Sequence, residues 1–322
     1  MPTLNRFSPS RYRVGLHQEP RGLAMAVLDT GTGQRPRLVD YGWWPGQDIQ
    51  RNIQTLGDQV RRSHLRKART HFVLAPSEYA CILLEEPRVE AGELQEALRW
   101  KLVDALPYPA DEAVIDTFPT PLQDKRGGGS TMIQVVAARD SLISERARQV
   151  QEAGFRLETV DILEMALRNL AVRRDGRHDV HAVVHVGMDR SLIVVIRDRL
   201  LFLTRRLPLG YRQLDQPDLP VLDMTEASSP PTRVSEQRLW DEICRSLEYY
   251  ERHVAGGGAE HALSLITGFP GDGALVQWMQ QETRMRPMSL EDLLEIPPDT
   301  HIDPQAHAPL MIAVGGALRL ED

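Results

Sequence analysis

Val180-His181-Ala182-Val183-Val184-His185-Val186 is a run of β-favouring residues broken by Gly187-Met188-Asp189. It resumes over 191–196, breaks at Arg197-Asp198-Arg199 and resumes over 200–206. Three short strands so close together, joined by polar turns, predict an antiparallel meander. The same theme occurs near the N-terminus, with strands expected over 12–16 and 23–28 around Glu19-Pro20-Arg21-Gly22. A third is expected over 38–43, after Thr30-Gly31-Thr32-Gly33. In each half helices and further strands follow the meander. A duplicated pattern over 322 residues predicts an α/β chain of two lobes, at 1–174 and 175–322, with a ligand cleft expected between them.

Between the meanders, Ile49, Ile53, Leu56 and Val60 recur at helical spacing within 47–67. Strands are expected over 71–74 and 80–85. A strong helix is expected over 90–106, where Leu94, Ala97, Leu98, Lys101, Leu102 and Ala105 form one stripe. Pro107-Tyr108-Pro109 ends it. Strands over 113–118 and 132–138 flank a Gly-rich hairpin tip at 124–130, and helices are expected over 141–153 and 160–172. In the second half, 216–237 is rich in Pro, Ser, Asp and Thr and predicts a long surface loop. Helices over 239–253, 274–283 and 309–320 and a strand over 263–267 complete the pattern.

Hydrophobic residues make up 42% of the chain and charged residues 26%, which allows a packed core and excludes global disorder. The net charge of −7 argues against a general nucleic-acid binder, because phosphate neutralisation needs a basic surface. No stretch approaches the roughly 18 apolar residues needed to cross a bilayer, and the first twelve residues lack an apolar signal-peptide core. A cytoplasmic protein that reaches a membrane only through a partner is expected. Cys81 and Cys244 lie in apolar or amphipathic segments and read as ordinary thiols.

Several segments taken together resemble the type IV pilus assembly protein PilM family. The strongest is Leu84-Glu85-Glu86-Pro87 through Glu93-Leu94-Gln95-Glu96-Ala97-Leu98-Arg99-Trp100-Lys101 to Leu106-Pro107-Tyr108-Pro109-Ala110-Asp111-Glu112-Ala113-Val114-Ile115-Asp116. Ser246-Leu247-Glu248-Tyr249-Tyr250, Thr267-Gly268-Phe269-Pro270-Gly271 and Val314-Gly315-Gly316-Ala317-Leu318-Arg319 resemble later segments of that family, in the same order. Its MSHA-pilus branch, MshI, is the nearest likeness, and the cytoplasmic domain of the type II secretion protein GspL a more distant one. The resemblance implies a two-lobed actin-like ATPase (ribonuclease H-like) fold with a small α+β insertion in the first lobe, at about 85–157. It also implies a scaffold role. Such a protein docks the N-terminal tail of a PilN-like (MshJ-like) single-span inner-membrane protein and works with other pilus assembly proteins. The tail groove of the family would be lined here by Leu84, Leu94, Leu98, Trp100, Leu102, Ile115 and Phe118.

The same resemblance exposes a departure. Actin-like ATPases carry Asp-x-Gly in the first hairpin, where Asp organises Mg²⁺ and Gly admits a phosphate. Val14-Gly15-Leu16-His17-Gln18-Glu19-Pro20 places His17 at the carboxylate position and Glu19-Pro20 in the turn. In the second hairpin His185, before Val186-Gly187, stands where another Asp is expected. A neutral imidazole is a poor Mg²⁺ ligand. The degenerate pocket would comprise Gly15, His17, His185, Gly187, Thr267 and Gly268. No catalytic residue, metal or cofactor is expected, although the three glycines leave room for ATP binding without hydrolysis. The alternative is an active actin-like or sugar-kinase-like ATPase, which requires the missing acids. A transition metal shared by His17 and His185 lacks a third ligand at any recognisable spacing.

Other features have plainer explanations. Glu85, Glu86, Glu90 and Glu93 read as a solvated helix N-terminus rather than a catalytic pair. The basic run at 61–67 reads as a polar helix face, and Trp43-Trp44 as a cap on a sheet edge. There is no nucleophile elbow, no Cys/His metal spacing and no P-loop.

Overall fold

The computed structural model describes residues 11–31, 35–46, 48, 51–57, 65, 68–90, 92–124, 130–174, 180–214, 234–252, 261–267, 273–283 and 285–319. The glycines of the hairpin tip, most of the proline-rich segment and most of the basic run at 61–67 lie outside these residues.

Strands β1 (Tyr12–Glu19), β2 (Gly22–Asp29) and β3 (Arg37–Pro45) form the first antiparallel meander. After helix α1, residues 51–57, strand β4 (Arg69–Val73) runs parallel to β1, with Leu16 opposite Phe72 and His17 opposite Val73. Strand β5 (Tyr79–Glu85) then starts a separate sheet. Helix α2 (Leu94–Leu102), strands β6 (Ala113–Asp124) and β7 (Ser130–Arg139) and helix α3 (Asp140–Glu152) complete an inserted subdomain with strand order β5-β7-β6. Strand β8 (Arg156–Asp161) returns to the first sheet, giving β3-β2-β1-β4-β8, and leads into helix α4 (Leu163–Arg173).

Strands β9 (Val180–Val186), β10 (Ser191–Arg197) and β11 (Leu200–Leu207) form the second meander. Asp198 and Arg199 turn β10 into β11 with left-handed φ values of 50° and 67°, which suit the twist of a two-residue hairpin. Helices α5 (Tyr211–Leu214) and α6 (Val234–Tyr250), strand β12 (His261–Ile266), helix α7 (Gly273–Thr283) and strand β13 (Arg286–Pro287) follow. The sheet order β11-β10-β9-β12-β13 repeats the plan of the first sheet: an antiparallel meander, then two parallel strands beside its first strand.

The chain forms two compact units. The first contains Met1–Arg174 together with Leu290–Ile302 and Pro309–Asp322, so most of the last helix, α8 (His307–Ala317), packs there rather than with the second half, as the expected boundary at 174/175 had it. Helix α8 is apolar on every side and buried, which an edge-of-domain helix could not be. Val14, Leu16, Leu23, Leu56 and Phe72 anchor the first core, and Val184, Ile193, Leu239, Ile243 and Met279 the second. Each such fully buried side chain contributes about 2 kcal/mol of transfer free energy.

Three sequence expectations change. The helix expected over 160–172 is preceded by an unread strand, β8. Arg156 and Glu158 are more exposed than Leu157 and Thr159, a strand alternation that parallel pairing with β4 makes decisive. The insertion begins at β5, since Tyr79–Glu85 pairs with β7, and ends before β8, so its bounds differ from 85–157. Helix α2 is shorter than 90–106, because residues 103–105 already turn toward Pro107.

Candidate functional site

Gly15 and His17 sit in the middle of β1. A Cβ on Gly15 would stand 1.7 Å from the carbonyl oxygen of Ala313, so the packing of α8 demands glycine here. His17 is only 3% exposed, and its Nδ1 lies 3.0 Å from the Val73 carbonyl oxygen. Burial lowers its pKa to about 4, with that hydrogen bond opposing the shift, so near neutral pH the ring is neutral and Nδ1–H donates to the carbonyl. Beyond it, Glu19 pairs with Arg21 at 2.9 Å. Burial pushes the Glu19 carboxyl up and the Arg21 charge pulls it back. A Mg²⁺–nucleotide needs an acidic anchor and open backbone donors. This strand offers a neutral imidazole committed to a carbonyl and a glycine pressed against a helix, which do not fit that group.

In the second unit, His185 is buried on β9 between Leu192 and Ile266. The N–H of Gly187 is already donated to the Arg190 carbonyl at 3.0 Å, and a Cβ there would lie 2.7 Å from the same oxygen. This hairpin closes on itself. Thr267 is buried with its Oγ1 unpartnered, and Gly268 lies outside the described residues. Among the described residues no three His, Cys, Asp or Glu side chains gather as a metal site.

The insertion sheet has two faces. Ala113 and Ile115 of β6 and Ile133, Val135 and Ala137 of β7 bury against Leu98 and Leu102 of α2, with Leu84 and Leu94 half-buried at the margin. Five of the seven residues expected in a tail groove therefore build this core. Trp100 points away from it and is 75% exposed. Phe118 lies on the opposite face, where Val114, Asp116, Val136 and Ala138 join it in lining a groove of about 310 Å³. The other wall comes from β8 and α4, through Val160 and Met165.

The floor of this groove is polar and fixed. Asp161, 5% exposed, accepts the N–H of Ile162 at 2.9 Å through Oδ1 and Arg319 Nη1 at 2.7 Å through Oδ2. Burial raises its pKa, and the Arg319 charge acts against that. The main-chain oxygen of Arg319 in turn accepts Arg13 Nη1 at 2.8 Å, which fixes the end of the chain to β1. Asn169 Nδ2 donates to the Gly315 carbonyl at 2.9 Å. Sequence reasoning missed Asp161, at the end of β8, and Arg168 and Asn169, on α4, because β8 went unread and the face that α4 turns to it could not be assigned. Arg319 ends the Val314–Arg319 motif, and nothing in that motif alone shows that its side chain reaches Asp161. The groove is suited to holding a chain segment: apolar walls for side chains and a polar floor to set register.

Among the described residues no helix is long and apolar enough to cross a membrane. Comparison with curated proteins finds no match. Among solved structures, the chain is similar to one from a PilM–PilN type IV pilus biogenesis complex at 20% identity and a TM-score of 0.68, covering 97% of this chain and 99% of the other. It is also similar to a Bacteroides thetaiotaomicron protein with an actin-like ATPase fold, at 10% identity, 97% of both chains and a TM-score of 0.51. The cytoplasmic domain of EpsL, from the type II secretion system of Vibrio cholerae, aligns at 10% identity over 96% of this chain and 95% of that one, with a TM-score of 0.49. The first two of these likenesses give the actin-like fold. The sequence profile of the type IV pilus assembly protein PilM matches residues 50–229, more than half of the chain, and the chain accordingly belongs to the PilM family of type IV pilus assembly proteins.

Proposed function

We propose that this protein is a non-hydrolysing cytoplasmic scaffold of a type IV pilus machine, associated with the inner membrane only through its partner. In this reading it docks the N-terminal tail of a PilN-like, single-span membrane protein in the groove between the insertion sheet and β8–α4. The groove carries the proposal, because it joins apolar walls to the ion pair of buried Asp161 with Arg319. The solved complex of PilM with PilN makes a tail of that type the natural occupant. The decayed hairpins favour the MSHA branch, with an MshJ-like partner.

Recognition here runs through side chains rather than strand addition. Along the outer edge of β6, the Ala113 carbonyl accepts Arg99 Nη1 at 2.9 Å and the Thr117 N–H donates to Asp116 Oδ1 at 2.8 Å, while Pro119 has no N–H. A tail therefore lies across the Val114–Asp116–Phe118 face.

The second part of the proposal, no hydrolysis, rests on His17 and Gly15. Their surroundings leave neither an acid for Mg²⁺ nor a free backbone face at β1. Titration of a synthetic PilN-type tail against the full chain and its Phe118→Glu variant tests the docking. Binding that survives Phe118→Glu unchanged places the site elsewhere.

A further inference from the structure

We propose that the outer face of α2 is a second docking surface, separate from the tail groove, which takes a protein segment presenting an apolar side chain flanked by Lys or Arg. Trp100 is 75% exposed and Val103, one turn on, is 52% exposed, although α2 has a complete core face of its own in Leu98 and Leu102. An indole this exposed is uncommon on a soluble surface and common at the centre of interfaces.

The charges around it decide the occupant. Glu96 and Asp104 stand one turn to either side of Trp100, both exposed, and among the described residues neither has an ion-pair partner. The cations of the same helix are directed elsewhere. Arg99 donates to the carbonyls of Ala110 and Ala113, and Lys101 Nζ to the carbonyl of Glu85. The surface is thus an apolar ridge between two uncompensated carboxylates. Anionic lipid headgroups are repelled by it, and a symmetric pairing of two copies would bring acid against acid. A cationic, apolar protein segment is the complement.

The position gives the surface its use. On the insertion sheet, Ile115, Val135 and Ala137 face α2, whereas Val114, Phe118, Val136 and Ala138 face the groove. Alternation along the strands therefore puts the two surfaces on opposite sides of one thin layer. Both can be occupied together, so the insertion can join two partners.

The test places p-benzoylphenylalanine at position 103 of the full chain, in the native cells, with position 237 on α6 as control. Irradiation is expected to join position 103 to another protein, and the mapped peptide to carry Lys or Arg beside the cross-linked apolar residue. The Glu96→Lys, Asp104→Lys double variant should cut the yield on the order of tenfold. Trp100→Ala should do at least as much, while leaving titration of the PilN-type tail unchanged. Cross-links no more frequent than at position 237, a product that is a second copy of this chain, labelled lipid, a target segment without basic residues, or indifference to the charge reversal would each overturn the proposal.

Discussion

The Cα of Gly15 on β1 and the carbonyl oxygen of Ala313 on α8 meet at backbone contact, with no room for even one methyl group between them. The same helix is clasped twice more. A Cβ on Gly316 would stand 2.7 Å from Val73 Cγ2, and one on Gly315 2.5 Å from the Ala166 carbonyl oxygen. Helix α8 thus lies in a slot between β1, β4 and α4, and its glycines are the shape of that slot.

Gly15→Ala is accordingly expected to destabilise the protein by at least about 3 kcal/mol, as overpacking against immovable backbone does. Urea unfolding measures it. Gly273→Ala, where nothing lies within 4 Å, is the control and should change stability by less than about 1 kcal/mol.

The stability of the fold should fall in mild acid because of His17. Its folded pKa, about 4, is below the ordinary value of 6.5, so the unfolded chain binds the proton more readily. The stabilisation is therefore complete above pH 6.5 and is lost as pH falls toward 4, by roughly 3 kcal/mol in all. His17→Gln should flatten the denaturation midpoint over that window. An equally steep slope in the variant would mean that other groups set it.

No ATP turnover above a heat-inactivated control is expected from the purified protein. Replacing His17 and His185 by Asp should not restore it, because Gly15 remains covered by α8 and the Gly187 N–H remains bonded to Arg190. Steady phosphate release from wild type or from the double variant would contradict the scaffold reading.

Core and groove should separate cleanly in mutants of the insertion. Leu98→Ala removes a fully buried side chain and should cost 2–5 kcal/mol of stability, with tail affinity following only through loss of fold. Phe118→Glu places a charge on the groove wall and should weaken the tail on the order of thirtyfold or more, with a near-native circular dichroism spectrum. A Phe118 variant that binds normally while Leu98→Ala stays folded and fails to bind would reverse the assignment.

The two meanders were legible because alternating Val, Ile and Leu runs between Gly, Asp and Arg turns have one cheap solution. The duplicated sheet order followed from them. Strand β8 was not legible: six residues with three charges look like the start of the next helix until β4 is there to pair with them. The groove was half legible for the same reason. Phe118 was found on β6, but Asp161 and Asn169 needed β8 and α4 to be placed first. Leu98 and Leu102 were read as binding residues because a helical apolar stripe looks alike whether it meets a partner or its own sheet. Trp100 broke that stripe's phase, lying two positions from both Leu98 and Leu102, and this was the one signal in the sequence that it pointed outward.

The guarded edge of β6 matters in another setting, when many copies of the chain are made at once. A bare strand edge beside apolar grooves is a template for pairing one molecule with the next, and such pairing grows into insoluble aggregates. Arg99 on the Ala113 carbonyl, Asp116 on the Thr117 N–H and the missing donor at Pro119 leave few groups for a neighbouring chain to grip. Three side chains thereby oppose edge-to-edge pairing of one copy with the next, although apolar grooves lie beside that edge.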